Sequence, residues 1–523
     1  ADTPGYEEAL REVFGEKVPK TGHEIKDTQR RLLERGIASA GWRFDTAIAA
    51  YLLSPTDSSF TLERLDERYG SGRLKSEEAG GQQMNLFDDG ADTRLCAEAE
   101  AVYDLTTRLS KAVDKAGMRP LFEKIELPLC EVLAHMEYEG FLVDKKALED
   151  FGAMLSEKIA QVEREIYEHA GEEFNINSPK QLGAVLFDKL MLPAPRKTKT
   201  GYSTNAEVLE SLRGYHPIVE QILNYRELTK LKSTYADGLV KVIDDDGRIR
   251  TRFQMTVTAT GRLSSTDPNL QNIPVRREMG SALREMFVAR EGWVLIDADY
   301  SQIELRLLAH IADDEVMRQA FLHGEDIHAV TASQVFGVPL SEVTPLQRSR
   351  AKAVNFGIVY GISPFSLSRD IGVPVAEAKA YMDSYFKKYS GVRAYMTEIV
   401  QKARQDGYVQ TLFGRRRDLP ELKSANHNIR SFGERAALNT PIQGTAADII
   451  KIAMVRVFRR LKAEGYRAKL ILQVHDELIV EAPQEEAREV QALLVEEMEN
   501  AARLTVPLKA DAHIGKTWAE AKG

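Results

Sequence analysis

The residues Arg348 to Gly361, RSRAKAVNFGIVYG, carry two cations and two aromatics at a fixed step. Wound as a helix, Arg348, Lys352, Phe356 and Tyr360 fall four apart and share one face. Guanidinium and ammonium groups suit a polyphosphate, and flat rings suit a base stacked beside it. One helical face thus offers places for both ends of a nucleoside triphosphate. The competing reading is a solvated basic edge beside two core aromatics, and spacing alone does not separate the two.

Two carboxylates stand at the ends of apolar runs. Asp299 closes the run in VLIDADYS, and Asp476 sits at the turn in LILQVHDELIVEAP. A carboxylate at the edge of a buried strand is costly without a partner. If the strands pair, the two groups converge and suit hard divalent cations, since Mg²⁺ takes oxygen ligands from one or two carboxylates plus substrate phosphates. Two such ions would activate a 3′-hydroxyl and stabilise a leaving pyrophosphate. Asp297 and Glu477 are possible helpers; Asp297 shares a strand face with Asp299, so spacing does not exclude it. The other reading of each aspartate is a cap or a turn former.

The elements that must position these groups follow from the patterning. GWVLIDADYSQIELRLLAHIA reads as an apolar strand turning into a helix, and residues 312 to about 425 are mostly helical. GRRRDLP reads as a dense basic loop, and a long helical pattern after it contains Pro441, where a kink is expected. LILQVHDELIVEAP reads as a hairpin turning at His475-Asp476, followed by a terminal helix and a short end. Upstream, KKALEDFGAMLSEKIAQVEREIYEHAG is an amphipathic helix ending at Gly171, with a solvated charged face. HPIVEQILNYRELTKLKSTYADGLVKVI is a second long helix that can pack back on it as an antiparallel arm. Ser178-Pro179 starts a shorter helix between them. The loop PAPRKTKTGYST places Arg196, Lys197 and Lys199 where a phosphate backbone can be gripped, or where water simply solvates them. SGRLKSEEAGGQQMNLFDDGAD is Gly-rich and polar and reads as a loop.

Composition sets outer bounds. The 523 residues suffice for several domains, and 43% hydrophobic with 28% charged residues is ordinary for globular protein. No apolar run approaches a membrane span. Cys96 and Cys130 are the only cysteines, without a CxxC, which argues against a disulfide scaffold or structural zinc and suits a reducing cytoplasm. The net charge is −9, so a nucleic-acid surface would have to be local.

DYSQIELR at 299–306, RSRAKAVNFGIVYG at 348–361 and VHDELIVE at 474–481 resemble, in order and spacing, the three signature motifs of family A DNA polymerases. The resemblance runs over about 123–523 and is nearest to the large fragment of bacterial enzymes of this family. It implies an α+β right hand with an antiparallel palm sheet, after a remnant 3′–5′ exonuclease-like α/β domain. The implied divisions are remnant 1–122, palm 123–136, thumb 137–243, palm 244–310, fingers 311–428 and palm 429–523.

The implied activity is template-directed addition of dNTPs to a primer 3′-hydroxyl by a cytoplasmic, nucleoid-associated monomer. Its partners would be primer-template DNA and dNTPs, without a membrane. Asp299, Asp476 and the Tyr300 carbonyl would hold two Mg²⁺ ions, with Mn²⁺ as a substitute. Arg348, Lys352 and His328 would hold the triphosphate, Lys352 also serving as proton donor to the pyrophosphate. Phe356, Tyr360 and Gln302 would complete the nucleotide site. Glu304 would be the steric gate against a ribose 2′-hydroxyl, since a side chain packed under the sugar leaves no room for another oxygen. Phe356, where some relatives carry Tyr, implies discrimination against dideoxynucleotides. Arg262, Arg435, Asn439, Gln443 and His475 would contact primer-template, the minor groove offering acceptors on every base pair. Lys197 and Lys199 would hold the duplex behind the site.

The exonuclease part of the pattern fails. GHEIKD keeps one carboxylate candidate, Asp27; the later YxxxD element falls on Leu95 and Ala99, and the earlier DxE strand is absent. The expectation is an N-terminally truncated domain that does not proofread, with no 5′-nuclease domain in the sequence. The rivals to polymerase are a single-subunit RNA polymerase, which Glu304 in a DNA-type motif opposes, a silent DNA-binding protein, which the intact Asp299, Asp476 and Lys352 oppose, and a phosphohydrolase, which would not need the nucleotide-gripping helix.

Overall fold

The computed structural model describes residues 4–74, 90–194, 201–274 and 278–523. Arg196, Lys197 and Lys199 lie outside the described residues.

The centre of the site-bearing region is a four-stranded antiparallel sheet. Its strands are β1 (Trp293–Tyr300), β2 (Lys469–Val474), β3 (Glu477–Pro483) and β4 (Ala510–Gly515), in the order β2-β3-β1-β4. β1 and β3 are near-continuous apolar runs because each has a neighbour strand on both sides and almost all of their residues are buried. The β2–β3 turn is His475-Asp476, as the sequence indicated, with His475 at φ 54, a left-handed conformation that His tolerates better than most residues. β4 was not foreseen: ADAHIG alternates too weakly to read as a strand, yet it pairs along β1 from Tyr300 to Leu295.

Register does the positioning. Asp299 lies opposite Glu477 on one side and Asp511 on the other. β1 then breaks into helix α1 (Ile303–Ile311) through Gln302, at φ 56. Helices α2 (Ile327–Phe336) and α3 (Pro345–Val359) pack on each other beyond it. α3 starts on a complete capping box, with Thr344 and Gln347 bonding each other's backbone N–H and Pro345 at the first position. Its Arg348, Lys352 and Phe356 lie within the helix, and Tyr360 is the residue that ends it.

Helix α4 (His427–Ala463) runs unbroken through Pro441. Beneath it lies a cluster of fully buried charges. Arg415 contacts Asp448 at 2.7 Å and also pairs with Glu126, while Lys451 reaches Glu126 at 2.7 Å. This corrects the reading of GRRRDLP as a basic loop. Arg416–Asp418 is a strand paired with Tyr408–Gln410, and Arg415 is 2% exposed inside the protein.

Upstream, helix Lys145–Ala170 begins on Asp144, which accepts from the Ala147 N–H at 2.9 Å, and ends on left-handed Gly171. It packs against Pro217–Lys230, the second arm expected from sequence. The N-terminal region holds a parallel strand pair, Lys20–Gly22 with Trp42–Asp45. Asp45 ends that pair and caps the buried helix Thr46–Leu53, accepting from Ile48 at 3.0 Å and from Ile25 at 2.7 Å. Helix Gly90–Lys115 packs on it.

Candidate active site

A cleft of about 540 Å³ lies between α3 and the β2–β3 turn. Its lining includes ten of the residues singled out by sequence: Arg262, Gln302, Glu304, His328, Arg348, Lys352, Phe356, Tyr360, His475 and Asp476. They come from five separate stretches of chain. α3 supplies the cations and rings on one wall, and the hairpin turn supplies the carboxylate side of the other.

Asp299 and Asp476 are adjacent, since the Tyr300 N–H donates to the Asp476 carbonyl at 3.2 Å. Burial, and next the neighbouring Asp299 charge, push the Asp476 carboxyl up to about 7. Burial also raises Asp299, against the pull of Lys522. One Asp299 oxygen, Oδ1, is buried and meets no donor among the described residues. Two hard oxygen donors with a free acceptor between crowded charges fit a divalent cation. Among the described residues no group of three or more His, Cys, Asp or Glu forms a self-sufficient cage. The Tyr300 ring is buried with its hydroxyl donating to Met498 O at 2.6 Å, which fixes the backbone beside Asp299.

The two possible helpers differ from each other: Asp297 is buried, and Glu477 lies opposite Asp299 and shares Lys522 with it. Asp297 is 2% exposed, whereas the Asp299 side chain is 42% exposed; neither of these two lines the cleft, which Asp476 reaches. Burial and the Glu477 charge raise the Asp297 carboxyl strongly. Glu477 is held by the Trp518 indole N–H at 3.0 Å and by Lys522 Nζ at 2.6 Å. Burial works against its charge, but the hydrogen bond with Asp297 and the Lys522 ammonium keep it below the usual carboxylate range.

On the α3 wall, Arg348 Nε donates to Asp326 Oδ2 at 2.6 Å. Asp326 also caps α2, accepting from the His328 N–H at 2.9 Å. His328 is buried, its Nδ1 lies 3.0 Å from the Asn355 amide nitrogen, and its ring centroid is 5.8 Å from that of Phe356. Burial, followed by the neighbouring Lys352 and Arg348 charges, lowers it to about 4 despite Asp326, so at neutral pH it is an uncharged imidazole. Lys352 Nζ lies 6.0 Å from the Phe356 ring centre.

Glu304 is clamped at both oxygens. Arg262 Nη2 donates to Oε1 at 2.5 Å and the Tyr360 hydroxyl donates to Oε2 at 2.8 Å. Burial and Glu304 together push the Tyr360 phenol up to about 12. Gln443 also reaches Tyr360, and Gly361 packs against the Arg435 side chain, which brings α4 to the same corner. Arg435 is exposed, donating to Ser431 at 3.1 Å, and Asn439 has a buried side-chain oxygen without a donor among the described residues. Arg435, Asn439 and Gln443 do not line the cleft.

Comparison with known proteins identifies the family. The family model described as DNA polymerase family A matches residues 145–520. The chain belongs to DNA polymerase family A. Residues 7–115 match the ribonuclease H-like domain of DNA polymerase I. The chain is 49% identical over 509 residues to DNA polymerase I of Geobacillus stearothermophilus, covering 96% of this chain and 58% of that protein. It is 48% identical over 522 residues to DNA polymerase I of Bacillus subtilis, covering 98% and 59%. It is 47% identical over 513 residues to DNA polymerase I of Lactococcus lactis, covering 97% and 58%. The chain thus spans somewhat under three fifths of the length of these relatives. The polymerase domain of Pol1 from M. smegmatis, solved in complex with DNA primer-template and dNTP, superposes with a TM-score of 0.92 at 43% identity, over 100% of this chain and 90% of that one. The fold is accordingly the right-hand fold of this family, preceded by a ribonuclease H-like domain.

Sequence reasoning missed Lys451, Gln473, Asp326 and Lys522. Lys451 lines the cleft from beneath, and its signal was a lone lysine inside the apolar run DIIKIAM. Gln473 lines the same cleft from β2. Lys522 had no local signal, because its partners lie far away in sequence.

Proposed function

We propose that this chain is a template-directed DNA polymerase, adding deoxynucleoside triphosphates to a primer 3′-hydroxyl and releasing pyrophosphate, in replication and repair synthesis. One observation carries the reading: the cation-and-ring face of α3 stands across a single cleft from Asp476, with Asp299 beside it. The M. smegmatis relative, described in complex with primer-template and dNTP, supports the same partners here. The proposed setting is a cytoplasmic, DNA-associated monomer; no described helix is long and apolar enough to cross a membrane.

In this reading the sheet and its flanks form the palm (123–136, 244–310 and 429–523), residues 137–243 the thumb and 311–428 the fingers. Asp299, Asp476 and the Tyr300 carbonyl would hold two Mg²⁺ ions, or Mn²⁺ in their place. Bound there, such ions lower the pKa of the primer hydroxyl and neutralise charge on the leaving pyrophosphate. Arg348 exchanges its Asp326 partner for a phosphate oxygen, which costs little because the pair is half exposed. His328, neutral, donates a hydrogen bond to phosphate without adding charge. Lys352 binds the same phosphates and passes a proton to the departing pyrophosphate. Phe356 and Gln302 flank the nucleotide, and Tyr360 closes the base end. Glu304, held on both oxygens, cannot swing aside, so its packed carboxylate excludes a 2′-hydroxyl. Arg262, Arg435, Asn439, Gln443 and His475 donate to primer-template, and Lys197 and Lys199 are proposed as further duplex contacts.

The N-terminal domain in this reading does not proofread. Its candidate carboxylate Asp27 pairs with Lys26 at 3.2 Å and also with Arg252, so two cations occupy it. Leu95 and Ala99 offer no ligand atoms.

Primer extension on a recessed template, with Mg²⁺ and each dNTP offered singly, tests the proposal. Addition of the complementary nucleotide alone is expected, and a primer kept in Mg²⁺ without dNTPs should hold its length. Binding of DNA without any addition would replace this reading with a silent DNA-binding protein.

A further inference from the structure

The last helix of the chain delivers a cation to the carboxylate centre. Helix Trp518–Lys522 starts on Thr517, whose hydroxyl accepts from the Glu520 N–H at 3.2 Å. It is docked tightly. Trp518 is fully buried, with ring centroids 5.5 Å from Phe287 and 5.7 Å from Phe141. At Gly515, on β4, a Cβ would come within 2.4 Å of the Ala521 nitrogen, so nothing larger than glycine fits under the helix. The Arg284 guanidinium, itself buried, lies 4.2 Å from the Trp518 ring centre. A side chain leaving such a helix has a fixed origin.

Lys522 leaves it and ends between two acids. Its Nζ donates to Glu477 Oε2 at 2.6 Å and to Asp299 Oδ2 at 3.1 Å. Glu477 is fixed from its other oxygen by the Trp518 indole of the same helix. The ammonium therefore ties down one Asp299 oxygen and leaves Oδ1 as the acceptor without a donor. It also cancels Glu477, which lies directly across the sheet from Asp299.

Resting on the proposed reading of Asp299 and Asp476 as metal carboxylates, we infer that Lys522 is a positioning residue of that centre. It restricts Asp299 to one free oxygen and neutralises Glu477, so that these two acids do not form a tight cation trap in the absence of substrate. Cations then bind firmly only when nucleotide phosphates complete the shell. Without Lys522 the centre gains one net negative charge and Asp299 becomes available through both oxygens. Attraction for a divalent ion rises with each added charge at this range.

Mn²⁺ titration followed by the electron paramagnetic resonance of the free ion, without DNA or nucleotide, tests this apart from turnover. Lys522→Met should bind Mn²⁺ about 10-fold more tightly than the wild type, and Lys522→Arg should restore the weak wild-type value. Lys522→Gln, which keeps a polar head without charge, should behave as Lys522→Met. Equal or weaker Mn²⁺ affinity in both neutral variants, with thermal unfolding unchanged, overturns the inference. Asp299→Ala and Asp476→Ala separate the two levels. If they lose Mn²⁺ while the neutral Lys522 variants match wild type, only the role of Lys522 falls. If they bind as wild type does, the metal reading itself falls.

Discussion

The Tyr360 hydroxyl donates to Glu304 at 2.8 Å, joining the end of α3 to the start of α1 across the cleft. With Arg262 on the other oxygen, the carboxylate has no freedom to retreat. Glu304→Ala should therefore admit ribonucleotides, lowering the preference for dNTP over rNTP by about 100-fold. Tyr360→Phe, which removes one clamp, should lower it by a smaller factor. Single-nucleotide incorporation with each sugar checks both, and unchanged sugar selectivity in Glu304→Ala would remove the gate assignment.

Lys352 lines the cleft beside Arg348, whereas the α4 residues proposed to contact the duplex, Arg435, Asn439 and Gln443, do not. Lys352→Ala should slow single-turnover incorporation by about 10²- to 10⁴-fold, the range for loss of a positioned acid, while duplex affinity stays within a few-fold of wild type. Equal losses in both would make Lys352 a DNA contact.

The buried charges under α4 predict an asymmetric stability response. Lys451→Met removes one partner and leaves Glu126 buried with less compensation, which should cost about 3–5 kcal/mol. Arg416→Ala, removing an exposed pair with Asp418, should cost less than about 1 kcal/mol. Denaturant unfolding monitored by tryptophan fluorescence measures both, and similar costs would mean the cluster is solvated.

His328 gives a pH signature with a definite sign. Its pKa falls from 6.5 to about 4 in the fold, so below 6.5 the unfolded chain takes up a proton that the folded chain does not. Its contribution is flat above about pH 6.5, and stability is lost as pH falls from there toward about 4. The full loss is of order 3 kcal/mol. His328→Asn should flatten that part of the stability–pH curve, and an unchanged slope would mean another group carries it.

The elements at the heart of the site were legible because each is strongly patterned. β1, α1, α3 and the His475-Asp476 hairpin follow from apolar runs and helical spacing, and the motif resemblance added the roles. Contacts between distant segments were not legible. Nothing in DIHAV says that Asp326 meets Arg348, and nothing in GRRRDLP says that its first arginine is buried against Asp448 and Glu126. β4 was missed because only its two ends are buried, and Lys522 because its partners lie 45 and 223 residues away.

Single-turnover incorporation by wild type and Asp476→Ala, beside equilibrium binding of the same primer-template, tests the central claim most directly. The account predicts templated addition by the wild type and loss of at least about 10³-fold in rate in the variant, with DNA binding retained. Addition by Asp476→Ala at the wild-type rate would contradict it, because the carboxylate facing the nucleotide wall would then take no part in the chemistry.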